Sequence, residues 1–119
     1  MDESHARELL AAADAGAVRT LAALGAEIGS ITAARQDANS DDEHDPEGTT
    51  LAYERSQADA LRKAAEIRRS EIADALSRLD AGEYGRCVRC GQPIADGRLE
   101  ARPWAALCVA DAAREGERR

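Results

Sequence analysis

The chain has 119 residues and a formal net charge of −7, with 27 Ala, two Tyr, one Trp and no Phe. So few large side chains exclude a thick globular core, and the Ala content favours helices packed closely side by side. Residues 1–85 hold 9 Lys+Arg against 18 Asp+Glu, whereas residues 86–119 hold 7 Arg against 5 acids, an acidic body that argues against wrapping nucleic acid and suits docking on a basic protein surface. No uninterrupted apolar run is long enough to span a bilayer, so no membrane span is expected. The start Met1-Asp2-Glu3-Ser4-His5 lacks the basic-then-apolar order of a secretory signal, which points to the cytoplasm.

Residues 4–36 read as a long helix. Leu10, Ala17, Leu21, Leu24, Ile28 and Ile31 form a heptad-type stripe along it. Residues 37–50 are polar and acidic and contain Pro46 and Gly48, which predicts a loop; Asp45-Pro46-Glu47 is a plausible start for the next helix. Residues 51–80 read as a second helix, with Leu51, Ala58, Leu61, Ala65, Ile72, Leu76 and Leu79 as its stripe. Glu54/Arg55, Arg62/Lys63 and Arg68/Arg69 fall on its exposed side, and Gly82 is a natural cap at its end. Two helices of similar length, each about 45 Å long at about 1.5 Å per residue, joined by one loop, form an antiparallel hairpin with that loop at its tip.

Beyond residue 83 the pattern changes. Tyr84 to Gly91 reads as a tight knuckle, Gln92 to Leu99 as room for a short hairpin around Asp96-Gly97, and 105–114 as a short helix. Cys87 and Cys90 have the spacing with which two thiolates grip one tetrahedral ion, and Cys108 follows after a gap that suits a four-ligand zinc site. The fourth ligand of that pattern falls on position 111, which is Asp111. A carboxylate can bind zinc, but as a harder ligand than thiolate it predicts weaker and more pH-sensitive binding. The competing reading is three free thiols in a module that folds without metal. A redox C-x-x-C fits less well, because no strand–helix setting surrounds it.

Tyr84-Gly85-x-Cys87-x-x-Cys90-Gly91-x-x-Ile94, then Arg98-Leu99-Glu100-Ala101-Arg102-Pro103, then Leu107-Cys108, resembles the zinc finger of the DksA/TraR family. The likeness is dense over about 28 residues and keeps the family's gap between the second and third Cys. The resemblance implies a mainly α fold: a long antiparallel helical hairpin (coiled coil) over 1–83 with an acidic tip near 37–50, then a small zinc-finger module and a short C-terminal helix over 84–119. It further implies a bacterial transcription regulator without enzymatic chemistry that binds RNA polymerase through its secondary channel. The acids Asp41, Asp42, Glu43, Asp45 and Glu47 would then lie near the polymerase active site, in some family members in concert with the stringent-response alarmone ppGpp. A structural zinc ion would be held by Cys87, Cys90 and Cys108, with Asp111 in the last place.

Two departures from the family stand out. Asp111 replaces the fourth Cys, and the family's tip pattern D-x-x-D-x-A is not reproduced: Asp45 lies near the first acid, Glu47 is nearest the second, and Thr49 stands where Ala is expected. An adaptor or stress protein that keeps the hairpin without acting on polymerase is the alternative. Direct sequence-specific DNA binding is not expected from so acidic a chain, and no nucleophile–base pair or phosphate loop points to an enzyme. Trp104 is expected to pack the finger against the base of the hairpin. Arg86, Arg89, Arg98 and Arg102 are expected at the solubilising surface, and Arg114 in a solvated tail.

Overall fold

A computed structural model describes residues 1–38 and 46–117. Among these residues four helices follow in order: α1 (Glu3–Ala38), α2 (Pro46–Asp80), α3 (Asp96–Ala101) and α4 (Val109–Glu117). The fold is mainly α, with α1 and α2 forming a long antiparallel hairpin that leads into the small cysteine-bearing module. Both long helices occupy the stretches their apolar periodicity predicts. The loop expected over 37–50 is helical at both ends, and residues 39–45 lie outside the described residues. Pro46 opens α2, where its fixed φ suits the first turn and its missing N–H is no loss. At the other end, Gly82 adopts φ 74°. Its N–H donates to Leu79 O and the Glu83 N–H to Arg78 O, so two carbonyls of the last turn are satisfied.

The chain divides into two compact units, Met1–Ala15 with Arg68–Arg119, and Gly16–Ile67. The first unit holds two apolar clusters. In one, Ala6 and Leu10 of α1 meet Ile72, Ala75 and Leu79 of α2, flanked by Ala13, Leu76, Tyr84 and Trp104. Leu10 and Ile72 are its fully buried large side chains, each stabilising the fold by about 1.5–3 kcal/mol relative to exposure. The other cluster joins Cys87, Ile94, Leu99 and Ala105, with Tyr84, Leu107 and Cys108 against it. Tyr84 belongs to both clusters, and its hydroxyl donates to Pro103 O at 2.8 Å. Trp104 packs against the first cluster as expected, and the Arg68 guanidinium lies 3.8 Å from its ring centroid. Arg68 is therefore a stacking partner of the indole, where the sequence placed it among exposed charges.

In the second unit the buried residues are Ala17, Leu24 and Ile31 of α1 and Ala58 and Ala65 of α2. Arg55 donates to the Thr32 hydroxyl between the two helices. Leu61 departs from the expected stripe and is 58 % exposed. The inward line of α2 advances in strict sevens through Leu51, Ala58, Ala65, Ile72 and Leu79, and the half-buried companions Arg55 and Arg62 lie four residues after its members. Leu61 lies three residues after Ala58 and is exposed, whereas Ala75, at the same place in the heptad after Ile72, is fully buried.

By length and composition alone, Glu3–Ala34 would pass as a membrane-crossing helix, with a mean hydropathy of 1.4 in its most apolar stretch. A count of uninterrupted apolar residues misses this, because an average tolerates isolated charges. Only 17 % of that stretch is buried, since Ala covers much of the outer face. The large residues Leu10, Leu24 and Ile31 are buried in the protein, and Asp14 accepts from Arg69 at 2.9 Å. These are features of a helix that packs on a protein partner.

Two local expectations are corrected. Asp96-Gly97 begins α3 and does not turn a hairpin. Among the described residues the strand-like pairing is limited to one antiparallel bridge between Arg86 and Pro93, and Leu99 on α3 is buried in the second cluster. The final helix starts at Val109, later than expected. The carbonyls that would continue it backwards are taken by tertiary donors: Arg78 reaches Trp104 O and Ala105 O, the Val88 N–H reaches Ala106 O, and Arg98 reaches Leu107 O.

Candidate metal centre

The knuckle is shaped by backbone hydrogen bonds. The Cys87 N–H donates to Gln92 O at 2.8 Å, and the Gly91 N–H returns to Cys87 O at 2.9 Å. Gly91 sits at φ 76°, a conformation a side chain would strain. This turn presents both sulfurs of the C-x-x-C pair to one side. The Val88 N–H to Ala106 O bond, 2.9 Å, lays the segment before Cys108 alongside the knuckle. The Ala112 N–H then donates to Cys108 O at 2.9 Å, opening α4, and Asp111 falls in its first turn, facing back to Cys108.

The ligand atoms of Cys87, Cys90, Cys108 and Asp111 all lie within 4.8 Å of one another. The Cys90 and Cys108 sulfurs are 3.9 Å apart. Asp111 Oδ2 is 3.1 Å from Cys87 Sγ and 3.5 Å from Cys108 Sγ. Around a zinc ion with about 2.3 Å sulfur bonds and about 2.1 Å oxygen bonds, tetrahedral edges would be about 3.8 Å and about 3.6 Å. The donor set therefore needs only small shifts to take the ion. Cys87 and Asp111 are buried, Cys108 is half-buried and Cys90 is exposed.

Buried, mutually close acids and thiols cannot all be charged without a compensating cation. Burial pushes the Cys87 thiol up, but backbone N–H groups at Cys90, Cys108 and Arg89 outweigh it and hold the group below its ordinary value. For Cys90, the Gln92 amide lowers the thiol, while burial, the Asp111 carboxylate and the two other sulfurs together push it up to about 11. Thiol donors from Cys87 and Cys90 hold the Asp111 carboxyl below the usual carboxylate range, with Arg114 adding to the effect.

Every residue predicted for the metal site is brought to this point. Of the predicted tip acids, Asp41, Asp42, Glu43 and Asp45 lie outside the described residues, and for Glu47 only the backbone, in the first turn of α2, is described. Sequence reasoning missed two supports of the site. Arg98 donates to Leu107 O at 3.0 Å, bracing the segment that delivers Cys108. Arg114, expected in a solvated tail, approaches Asp111 Oδ1 at 3.4 Å. Its position three residues after Asp111 on a helix was the available signal.

Residues 82–114 match the family described as prokaryotic dksA/traR C4-type zinc finger. The finger module belongs to the DksA/TraR zinc-finger family. Together with the four clustered side chains, that match assigns one structural zinc site to the module. Over 50 residues, 42 % of this chain and 34 % of the relative, the sequence is 48 % identical to an RNA polymerase-binding transcription factor DksA of Caulobacter vibrioides. Over 48 residues, 40 % of this chain and 32 % of the relative, it is 48 % identical to an uncharacterized protein of Aquifex aeolicus. The match thus spans about a third of the length of the curated relatives. Among solved structures, transcription factor DksA2 from Pseudomonas aeruginosa superposes with a TM-score of 0.53 at 24 % identity, covering 99 % of this chain and 92 % of that one, a likeness of fold.

Proposed function

We propose that this protein is a cytoplasmic transcription regulator that binds RNA polymerase through its secondary channel and modulates initiation, without enzymatic chemistry of its own. The observation that carries this reading is a DksA/TraR zinc finger joined to a long helical hairpin, the fold shared with a solved DksA2. In this reading residues 1–83 are the hairpin that enters the channel, and residues 84–119 form the module that fixes its base. Asp41, Asp42, Glu43, Asp45 and Glu47 are the residues that act near the polymerase's metal-dependent centre, where carboxylates attract Mg²⁺ and its basic surroundings. The net charge of −7 suits entry into a basic channel and opposes contact with DNA phosphates. Zinc, held by Cys87, Cys90, Cys108 and Asp111, ties the knuckle to α4 and does no chemistry. ppGpp is a candidate co-regulator.

The test is binding of the purified protein to core RNA polymerase, wild type beside Asp45→Ala/Glu47→Ala, with transcript yield read from the same reactions. Wild type should bind and shift the yield, and the double variant should bind without shifting it. Wild type that does not bind polymerase would leave the adaptor reading, which the altered tip sequence with Thr49 in place of Ala favours.

A further inference from the structure

We propose that Arg114 is a positioning residue for the metal site: it holds the outer oxygen of Asp111 so that the carboxylate binds zinc through Oδ2 alone. This rests on the zinc reading above. The two carboxylate oxygens of Asp111 have different surroundings. Oδ2 faces the sulfurs, 3.1 Å from Cys87 Sγ and 3.5 Å from Cys108 Sγ. Oδ1 meets Arg114 Nη1 at 3.4 Å. Asp111 is only 3 % exposed, so its second oxygen has little access to water.

The placement is built into α4. Residues three apart on a helix share a face, so a cation at position 114 is delivered over the side chain at position 111. Among the described residues, no other side-chain cation pairs with a ligand of this site. Arg89, inside the C-x-x-C loop, is engaged with Glu115 at 2.7 Å.

Two physical consequences follow. A carboxylate free on both oxygens can chelate an ion and raise its coordination number, whereas one with an occupied outer oxygen offers a single bond and preserves the four-coordinate geometry of a structural site. Three thiolates and a carboxylate around a dication also leave two net negative charges, and the guanidinium offsets one of them. A harder oxygen ligand in place of the usual thiolate is thereby given an outer partner that orients it, as carboxylates and carbonyls orient ligating histidines.

Zinc affinity is measured on the full chain by competition with a chromophoric chelator, and the coordination number is read from the visible spectrum of the cobalt(II)-loaded protein. The variants are Arg114→Gln, Arg114→Lys and, as a control for charge alone, Arg102→Gln at an exposed position of the same module. Arg114→Gln should weaken zinc binding about tenfold, the lower end of what loss of an outer-shell partner costs, and reduce the intense absorption typical of tetrahedral cobalt. Arg114→Lys should recover most of both signals, and Arg102→Gln should match wild type. Equal or tighter zinc binding by Arg114→Gln, with an unchanged cobalt spectrum, overturns the role of Arg114 and leaves the zinc site standing. An equal loss in Arg102→Gln reduces the effect to net charge and also overturns it. A wild-type chain that takes up neither metal removes the zinc reading itself.

Discussion

The unit formed by Met1–Ala15 and Arg68–Arg119 buries Leu10, Ile72, Leu79, Ile94 and Leu99, whereas among the described residues of Gly16–Ile67 three of the five that are buried, Ala17, Ala58 and Ala65, are alanines. The first unit also ties distant segments together with side-chain to carbonyl bonds from Arg78, Tyr84 and Arg98. The second relies on a thin stripe and on the helix propensity of its Ala. The difference teaches how one chain divides its tasks. The part that must hold a metal and a fixed base is cross-linked through tertiary contacts, and the arms need only stay helical and paired.

Core truncation probes this contrast most strongly. Leu10→Ala should cost about 3–5 kcal/mol and Leu24→Ala about 2–3 kcal/mol, both within the range for buried leucines, measured by urea denaturation. Leu10 sits in a cluster of larger neighbours and is fully buried, whereas Leu24 sits in the Ala-rich unit. Equal costs would break the comparison. Next in size is the cation–π contact. Arg68→Ala should lose about 0.5–1 kcal/mol, and Arg68→Lys should recover part of it. No loss would reduce the Trp104 contact to simple packing.

The smallest effect is expected at the Asp14–Arg69 pair. The Arg69 guanidinium holds the Asp14 carboxyl below the usual carboxylate range. A depressed carboxyl stabilises the fold above its unfolded pKa, about 3.9, and that contribution is lost as the pH falls through the lower folded value. Asp14→Asn should therefore lower the melting temperature slightly at pH 7 and leave it unchanged near pH 2. Both side chains are substantially exposed, which keeps the effect small. A larger loss at low pH than at neutral pH would reverse the assigned sign.

Much of this was legible in the sequence, and the failures have physical causes. Leu10, Ala17, Leu21, Leu24, Ile28 and Ile31 are all buried or half-buried, because a heptad stripe fixes a helix face without reference to anything distant. Asp111 was found by ligand spacing alone. Leu61 was misplaced because the heptad pattern does not distinguish its position from that of Ala75, which is buried. The start of α4 was misplaced because donors from Arg78, Val88 and Arg98, remote in sequence, claim the carbonyls between Trp104 and Leu107. The Asp96-Gly97 pair is a turn signal, yet burial of Leu99 one turn later favours a helix there. The acids from Asp41 to Asp45 rest on the sequence alone.

The most direct test of the metal centre on which the finger's assignment rests is X-ray absorption at the zinc edge of the protein purified with its metal. One zinc per chain is expected, with three sulfur neighbours at about 2.3 Å and one oxygen at about 2.0–2.2 Å, the oxygen giving way to a fourth sulfur in Asp111→Cys. A shell without oxygen in the wild type, an oxygen that persists in Asp111→Cys, or a protein that carries no zinc would contradict it.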